Sequence, residues 1–156
     1  MSERTMEQTI TVDASVAAAY RALTDADEIT RWWTTSAESD PRAGGRFRYT
    51  WVFPQAPEKD HSQEGAYHDA SPNDSISYPW DMRGHETTVT FRVSGNDDGA
   101  EVLLVHAGWG SGGVWDEEWE THAQGWGFFL QNLKTYLDQG VDNRAEMLGM
   151  KVAALV

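Results

Sequence analysis

The sequence predicts an α+β domain in which a curved antiparallel sheet of six strands, with two short helices after the first, lies against one long C-terminal helix. Three observations carry this. Segments that alternate apolar and polar residues follow one another from Arg46 to Ala107, separated only by turn signals, which is hairpin order rather than the strand–helix alternation of a parallel sheet. The stretch Trp115 to Gln139 places Trp119, His122, Ala123, Trp126, Phe129, Leu130, Leu133, Tyr136 and Leu137 at spacings of three and four, one face of a helix. Eight tryptophans are far more than a core of this size needs, which points to a wide interior lined with flat rings, with plain core packing as the alternative.

The elements follow in order. Met6 to Val12 alternates as a half-buried strand. Ser15 caps a helix over VAAAYRAL, and Asp25 with Glu28 caps a second that ends near Trp33. DPRAGG at 40–45 is a turn, after which RFRYTWVF puts Phe47, Tyr49, Trp51 and Phe53 on one face and Arg46, Arg48 and Thr50 on the other. A shift of one residue would turn the arginines inward, where they could bind a ligand carboxylate. PQAPEKDHSQ reads as a polar, mobile loop. Strands follow at 64–70, at 75–82 with Ile76, Tyr78 and Trp80 together, at 86–94, and at 101–107 with Val102, Leu104 and His106 together. Pro79 inside its strand demands an edge or a bulge.

The long helix spans about 37 Å at 1.5 Å per residue. Asp116, Glu117, Glu118 and Glu120 suit the positive end of its dipole, and Gly140 is a natural stop. Gly125 and Gly127 flank Trp126 and cost about 1 kcal/mol each inside a helix, which implies a close approach of the backbone to another layer there. The glycine-rich run WGSGGV at 109–114 lacks the ending of a phosphate-binding loop and reads as a flexible connection or lip. Residues 1–140 form the domain, and residues 141–156 form a tail whose Met147, Leu148, Met150, Val152, Leu155 and Val156 pack on it or on a partner subunit.

Composition narrows the function. A net charge of -13 opposes nucleic acid and anionic membranes as partners and matches a salt-adapted protein or, as the alternative, one with a cationic partner. No stretch is long and apolar enough for membrane insertion, and the polar start MSERTMEQT is unlike a signal peptide. The absence of cysteine removes disulfides and thiolate chemistry and fits a cytoplasmic setting. No spacing supports a metal site, and no cofactor is implied. His61, His68, His85, His106 and His122 are scattered, with His61 and His85 in loops as solvated side chains. His106 and His122 fall on apolar faces, either as core histidines satisfied by hydrogen bonds or as polar contacts for a ligand.

The order of elements, together with Trp32-Trp33, Gly44-Gly45, the run His106-Ala107-Gly108-Trp109 and HAQGWGFFLQNLKTYLDQG from His122 to Gly140, resembles the START and birch-allergen-like (SRPBCC) superfamily, within it the homologue family of the heat-shock protein 90 ATPase activator. The resemblance runs from about Thr9 to Gly140 and implies a helix-grip fold with a hydrophobic cavity between sheet and long helix. The cavity is expected among Trp32, Trp33, Phe47, Tyr49, Trp51, Tyr67, Tyr78, Trp80, Phe91, His106, Trp109, His122, Trp126 and Phe129, with Trp109, Trp115 and the Trp32-Trp33 pair at its mouth. The function expected first is a non-catalytic binding module for a small apolar or aromatic molecule of the lipid, sterol or polyketide class. The alternative is a chaperone-associated or stress-related interaction module, as monomer or homodimer. A second alternative is a cyclase- or hydrolase-type enzyme using His106 or His122 as acid or base.

Overall fold

The structure, a computed structural model, describes residues 4–96 and 98–152. Leu155 and Val156 of the apolar tail lie outside the described residues. Strand β1 (Arg4–Val12) is followed by helices α1 (Val16–Thr24) and α2 (Ala26–Trp32). Both caps act as their residue types dictate, with the Ser15 side chain accepting from the Ala18 N–H and the Asp25 side chain from the Glu28 N–H. Strands β2 (Ser36–Ser39), β3 (Arg46–Trp51), β4 (His61–Ala66), β5 (Asp69–Ser71), β6 (Ser75–Met82), β7 (His85–Gly95) and β8 (Ala100–Trp109) come next, then the long helix α3 (Gly113–Gln139) and a short α4 (Arg144–Leu148).

Among the described residues all strand pairs are antiparallel, but the strands number eight rather than six and form two sheets, β1-β8-β7-β6-β5 and β2-β3-β4. The sequence Ser36–Ser39 has no alternating apolar face, so β2 is a strand only because β3 offers it an edge. The single strand expected at 64–70 is two strands, broken where the chain passes from one sheet to the other. Tyr67 N–H donates to Gly45 O on the β3 side (2.8 Å), and the next residue, His68, donates to Ser77 O on the β6 side (2.8 Å). The loop expected at 54–63 is shorter, because residues 61–63 already pair with β3 and Pro57–Lys59 forms a 3₁₀ turn.

Pro79 does sit on an edge, since β5 pairs only with Ser75 to Ser77 of β6. Beyond it a side chain closes the gap between the sheets. The Gln63 amide accepts from Asp81 N–H (2.8 Å) and donates to Asp81 O (2.9 Å), as a neighbouring strand's backbone would. This join brings β3 and β4 alongside β6, and the combined surface curves around α3.

Helix α3 crosses that surface with Trp126, Leu130 and Leu133 buried, and ends at Gly140, which is left-handed at φ 70°. The predicted close approach at its inner glycines is absent. A Cβ at Gly125 would meet nothing within 4 Å, and one at Gly127 only Gln8 Oε1 at 3.8 Å. The close approach lies before the helix instead: a Cβ at Gly110 would come within 2.4 Å of the Trp115 indole, so the expected lip is a packed connection. Arg46 and Arg48 point outward, as the unshifted register requires.

After Gly140 the described part of the tail runs back over α2 and β3. Arg144, 1 % exposed, pairs with Asp142 and donates to Thr30 O and Thr34 O (2.7 Å each). Met150 is buried, and Lys151 N–H donates to Val52 O (2.8 Å). Met147 and Leu148 remain exposed.

Candidate functional site

Between α3 and the join of the two sheets lies a cavity of about 190 Å³. Its floor is four indoles. Trp33 ends α2 and stacks between Trp32 (5.3 Å between centroids, 14°) and Trp80 of β6 (6.0 Å, 4°). Trp51 of β3 meets Trp33 and Trp80 edge-on at 69° and 67°. Trp126 descends from α3 onto Trp33 and Trp80, tilted 42° and 46°. These rings do not fill the space beneath α3, and what they leave is the cavity. Phe53, His61, Thr121, His122, Gly125 and Phe129 form its walls and opening.

Gly125 lines the cavity from the helix side, and no atom stands within 4 Å of where its Cβ would be. The glycine therefore leaves volume open where any other residue would project into it. That is the role of a residue whose type suggested a tight contact.

Three histidines surround the indoles in different states. His106 is fully buried on β8 with both ring nitrogens engaged. Trp126 Nε1–H donates to its Nδ1 (3.2 Å), so the ring proton is on Nε2 and goes to Thr87 Oγ1 (2.7 Å), which donates in turn to Trp80 O (2.8 Å). Burial, then the nearby His122, pushes its pKa down to about 3. A neutral ring with no free nitrogen is a core histidine, and it has no site left for acid–base work.

His122 donates from Nδ1 to Glu118 O (3.0 Å), which leaves Nε2 as a long acceptor for Trp80 Nε1–H (3.4 Å). Burial lowers its pKa, with the backbone carbonyl and the Glu118 charge opposing. The carboxylate at 3.6 Å is the expected contact across one helical turn. His61 is the histidine of the cavity that was not in the expected set. It opens β4 rather than lying in a loop, and its ring stacks on Trp51 (5.6 Å, 27°) at the cavity mouth. Burial of that face lowers its pKa, against the pull of Asp81 and Glu118.

The predicted site residues thus divide. Trp33, Trp51, Trp80, His122, Trp126 and Phe129 line the cavity. Trp32, Phe47, Tyr49, Tyr67, Tyr78, Phe91, His106 and Trp109 are buried away from it. Trp32 and Trp109 are fully buried and cannot form a mouth, and Trp115 packs against His85, tilted 45°, outside the cavity. Phe53, His61, Thr121 and Gly125 were absent from the expected set. Only Phe53, in step with Phe47, Tyr49 and Trp51, carried a signal in the pattern. Among the described residues no group of histidines and carboxylates could hold a metal ion, and no helix is long and apolar enough to cross a membrane.

Residues 13–138 match the family model described as "Activator of Hsp90 ATPase homolog 1-like protein". No curated protein matches the sequence. Among solved structures, protein MLL2253 from Mesorhizobium loti is similar over 88% of this chain and 99% of its own, with a TM-score of 0.72 at 19% identity. The Aha1 dimer from Colwellia psychrerythraea, solved in solution, is similar over 88% of this chain and 98% of its own, with a TM-score of 0.70 at 20% identity. DynU16, from the dynemicin biosynthetic locus, is similar over 87% of this chain and 48% of its own, with a TM-score of 0.72 at 20% identity. At these identities the likeness is one of fold.

Proposed function

The chain belongs to the activator of Hsp90 ATPase homolog 1-like family, and from that premise we propose that it is a binding module whose ligand is a planar aromatic molecule of one or two fused rings. The observation that supports this reading is the cavity of about 190 Å³, floored by four indoles and left open by a glycine in the wall formed by α3. Drug-sized ligands occupy roughly 300–1,000 Å³, whereas a cavity near 150 Å³ can hold benzene. The volume therefore favours the small end of the apolar and aromatic range over a sterol or a long lipid. The satisfied, neutral state of His106 favours binding over acid–base catalysis.

Amide-correlation NMR with pooled aromatics tests the reading, with the indole N–H signals of Trp51, Trp80 and Trp126 as reporters. Saturable shifts at these signals are expected, together with their loss in Gly125→Leu, whose side chain occupies the cavity. Silence across the pools, or equal binding by Gly125→Leu, would count against it. The family description supports a second reading, a chaperone-associated interaction module. Stimulation of a heat-shock protein 90 ATPase by the purified protein is its test, and unchanged turnover would remove it.

A further inference from the structure

The Gln63 amide that joins the two sheets also fixes the protonation of a cavity residue. Its orientation is not free. Asp81 N–H can only donate, so Oε1 faces it (2.8 Å), and Asp81 O can only accept, so the NH₂ group faces that atom (2.9 Å). The same NH₂ nitrogen lies 2.9 Å from His61 Nε2. An amide NH₂ has donors alone to offer, so His61 Nε2 is the acceptor and the neutral ring carries its proton on Nδ1. Among the described residues Nδ1 makes no hydrogen bond. His61 lines the cavity at its exposed edge, with its ring against Trp51. It is a donor without a partner among the described residues, on a side chain that lines a largely apolar cavity. Asp81 and Glu118 act on His61, and the chain carries -13 overall, so an anionic ligand is disfavoured there.

We infer that His61 is the polar recognition group of the cavity, that Gln63 sets its tautomer, and that the preferred ligand is an uncharged planar aromatic bearing a carbonyl or ring-nitrogen acceptor. The inference rests on the binding reading above and narrows its ligand class. Gln63 is a positioning residue in this arrangement and His61 a contact residue.

The experiment uses the full chain and two bicyclic probes of one skeleton, indane and 1-indanone, with indane-1-carboxylate as the anionic member. Long-range proton–nitrogen NMR of the unliganded protein is expected to give a pyrrole-type Nδ1 and a pyridine-type Nε2 at His61. The ratio of indane to 1-indanone dissociation constants is expected to fall about threefold to tenfold in His61→Phe, the effect of one hydrogen bond, with indane affinity nearly unchanged. Gln63→Leu is expected to shift the tautomer signature and lower the same ratio part of the way. An Nε2-protonated ring in the unliganded protein, a ratio indifferent to His61→Phe, or a preference for the carboxylate would overturn the inference. In each of these cases indane still binds and the cavity reading stands. Failure of indane and 1-indanone alike to shift the indole signals would overturn the binding reading and this inference with it.

Discussion

Two aromatic clusters sit on the same curved surface and have opposite outcomes. Phe47, Tyr49, Tyr67 and Tyr78 pack ring against ring at 5.0 to 5.8 Å between centroids. Ser39 Oγ donates to Thr24 O, Tyr67 OH to Ser39 Oγ and Tyr49 OH to Tyr67 OH, each at 2.6 Å. This relay has one direction, because it ends on a carbonyl that only accepts. Burial raises the pKa of Tyr49 and Tyr78 well above the ordinary phenol value, so both stay neutral. The tryptophan cluster of Trp33, Trp51, Trp80 and Trp126 has comparable spacings, 5.3 to 6.0 Å, yet encloses space. Hydroxyl tips tie Tyr49 and Tyr67 into this relay, whereas the four indoles lie under Gly125, a helix position with no side chain.

The comparison breaks first on truncation. Phe47→Ala removes a ring from the filled cluster and should cost about 3–5 kcal/mol in chemical unfolding. Phe129→Ala, at the half-exposed wall of the cavity, should cost less than half of that. Equal losses would mean that the tryptophan cluster is packed as tightly as the tyrosine one.

Next comes His106, which holds the closed end of the tryptophan cluster. His106→Phe strands the Trp126 N–H and should cost about 1–3 kcal/mol near neutral pH. Its folded pKa lies below the unfolded value, so the unfolded chain takes up the proton first. Stability is then fully present above about pH 6.5 and declines as pH falls toward 3, by at most about 1.4 kcal/mol per pH unit. The variant should flatten this acid limb in melts collected across that range, leaving the contributions of His122 and His61, which have the same sign.

The smallest effect has the opposite sign. Gly125→Ala should stabilise the protein by up to about 1 kcal/mol through helix propensity. The same methyl enters the cavity and should weaken aromatic ligands. A parallel melt and titration would separate the two effects. A gain in stability with no loss of affinity would place the ligand away from α3.

Most of the frame was legible in the sequence because its signals are local. Ser15 and Asp25 cap the helices through side chains that bond the next turn, and Gly140 adopts the left-handed stop. Alternation put Phe47, Tyr49 and Trp51 inward and Arg46 and Arg48 outward, and placed His106 on the apolar face where it is buried. Trp51, Trp80, Trp126 and Phe129, which the same periodicity turned inward, line the cavity. What misled was residue type taken without its neighbours. Gly125 suggested a close approach and is a vacancy; His61 sat among loop-like residues and belongs to a strand.

Periodicity and caps therefore determined which faces turn inward and where the helices start and stop, since these depend on residues within a turn or two of each other. The division into two sheets, the amide of Gln63 that joins them and the space beneath Gly125 were decided by tertiary structure alone. Each depends on which distant backbone arrives alongside. Whether a cluster of rings encloses a volume depends on what stands over it, here a helix position with no side chain, which no spacing along the chain encodes.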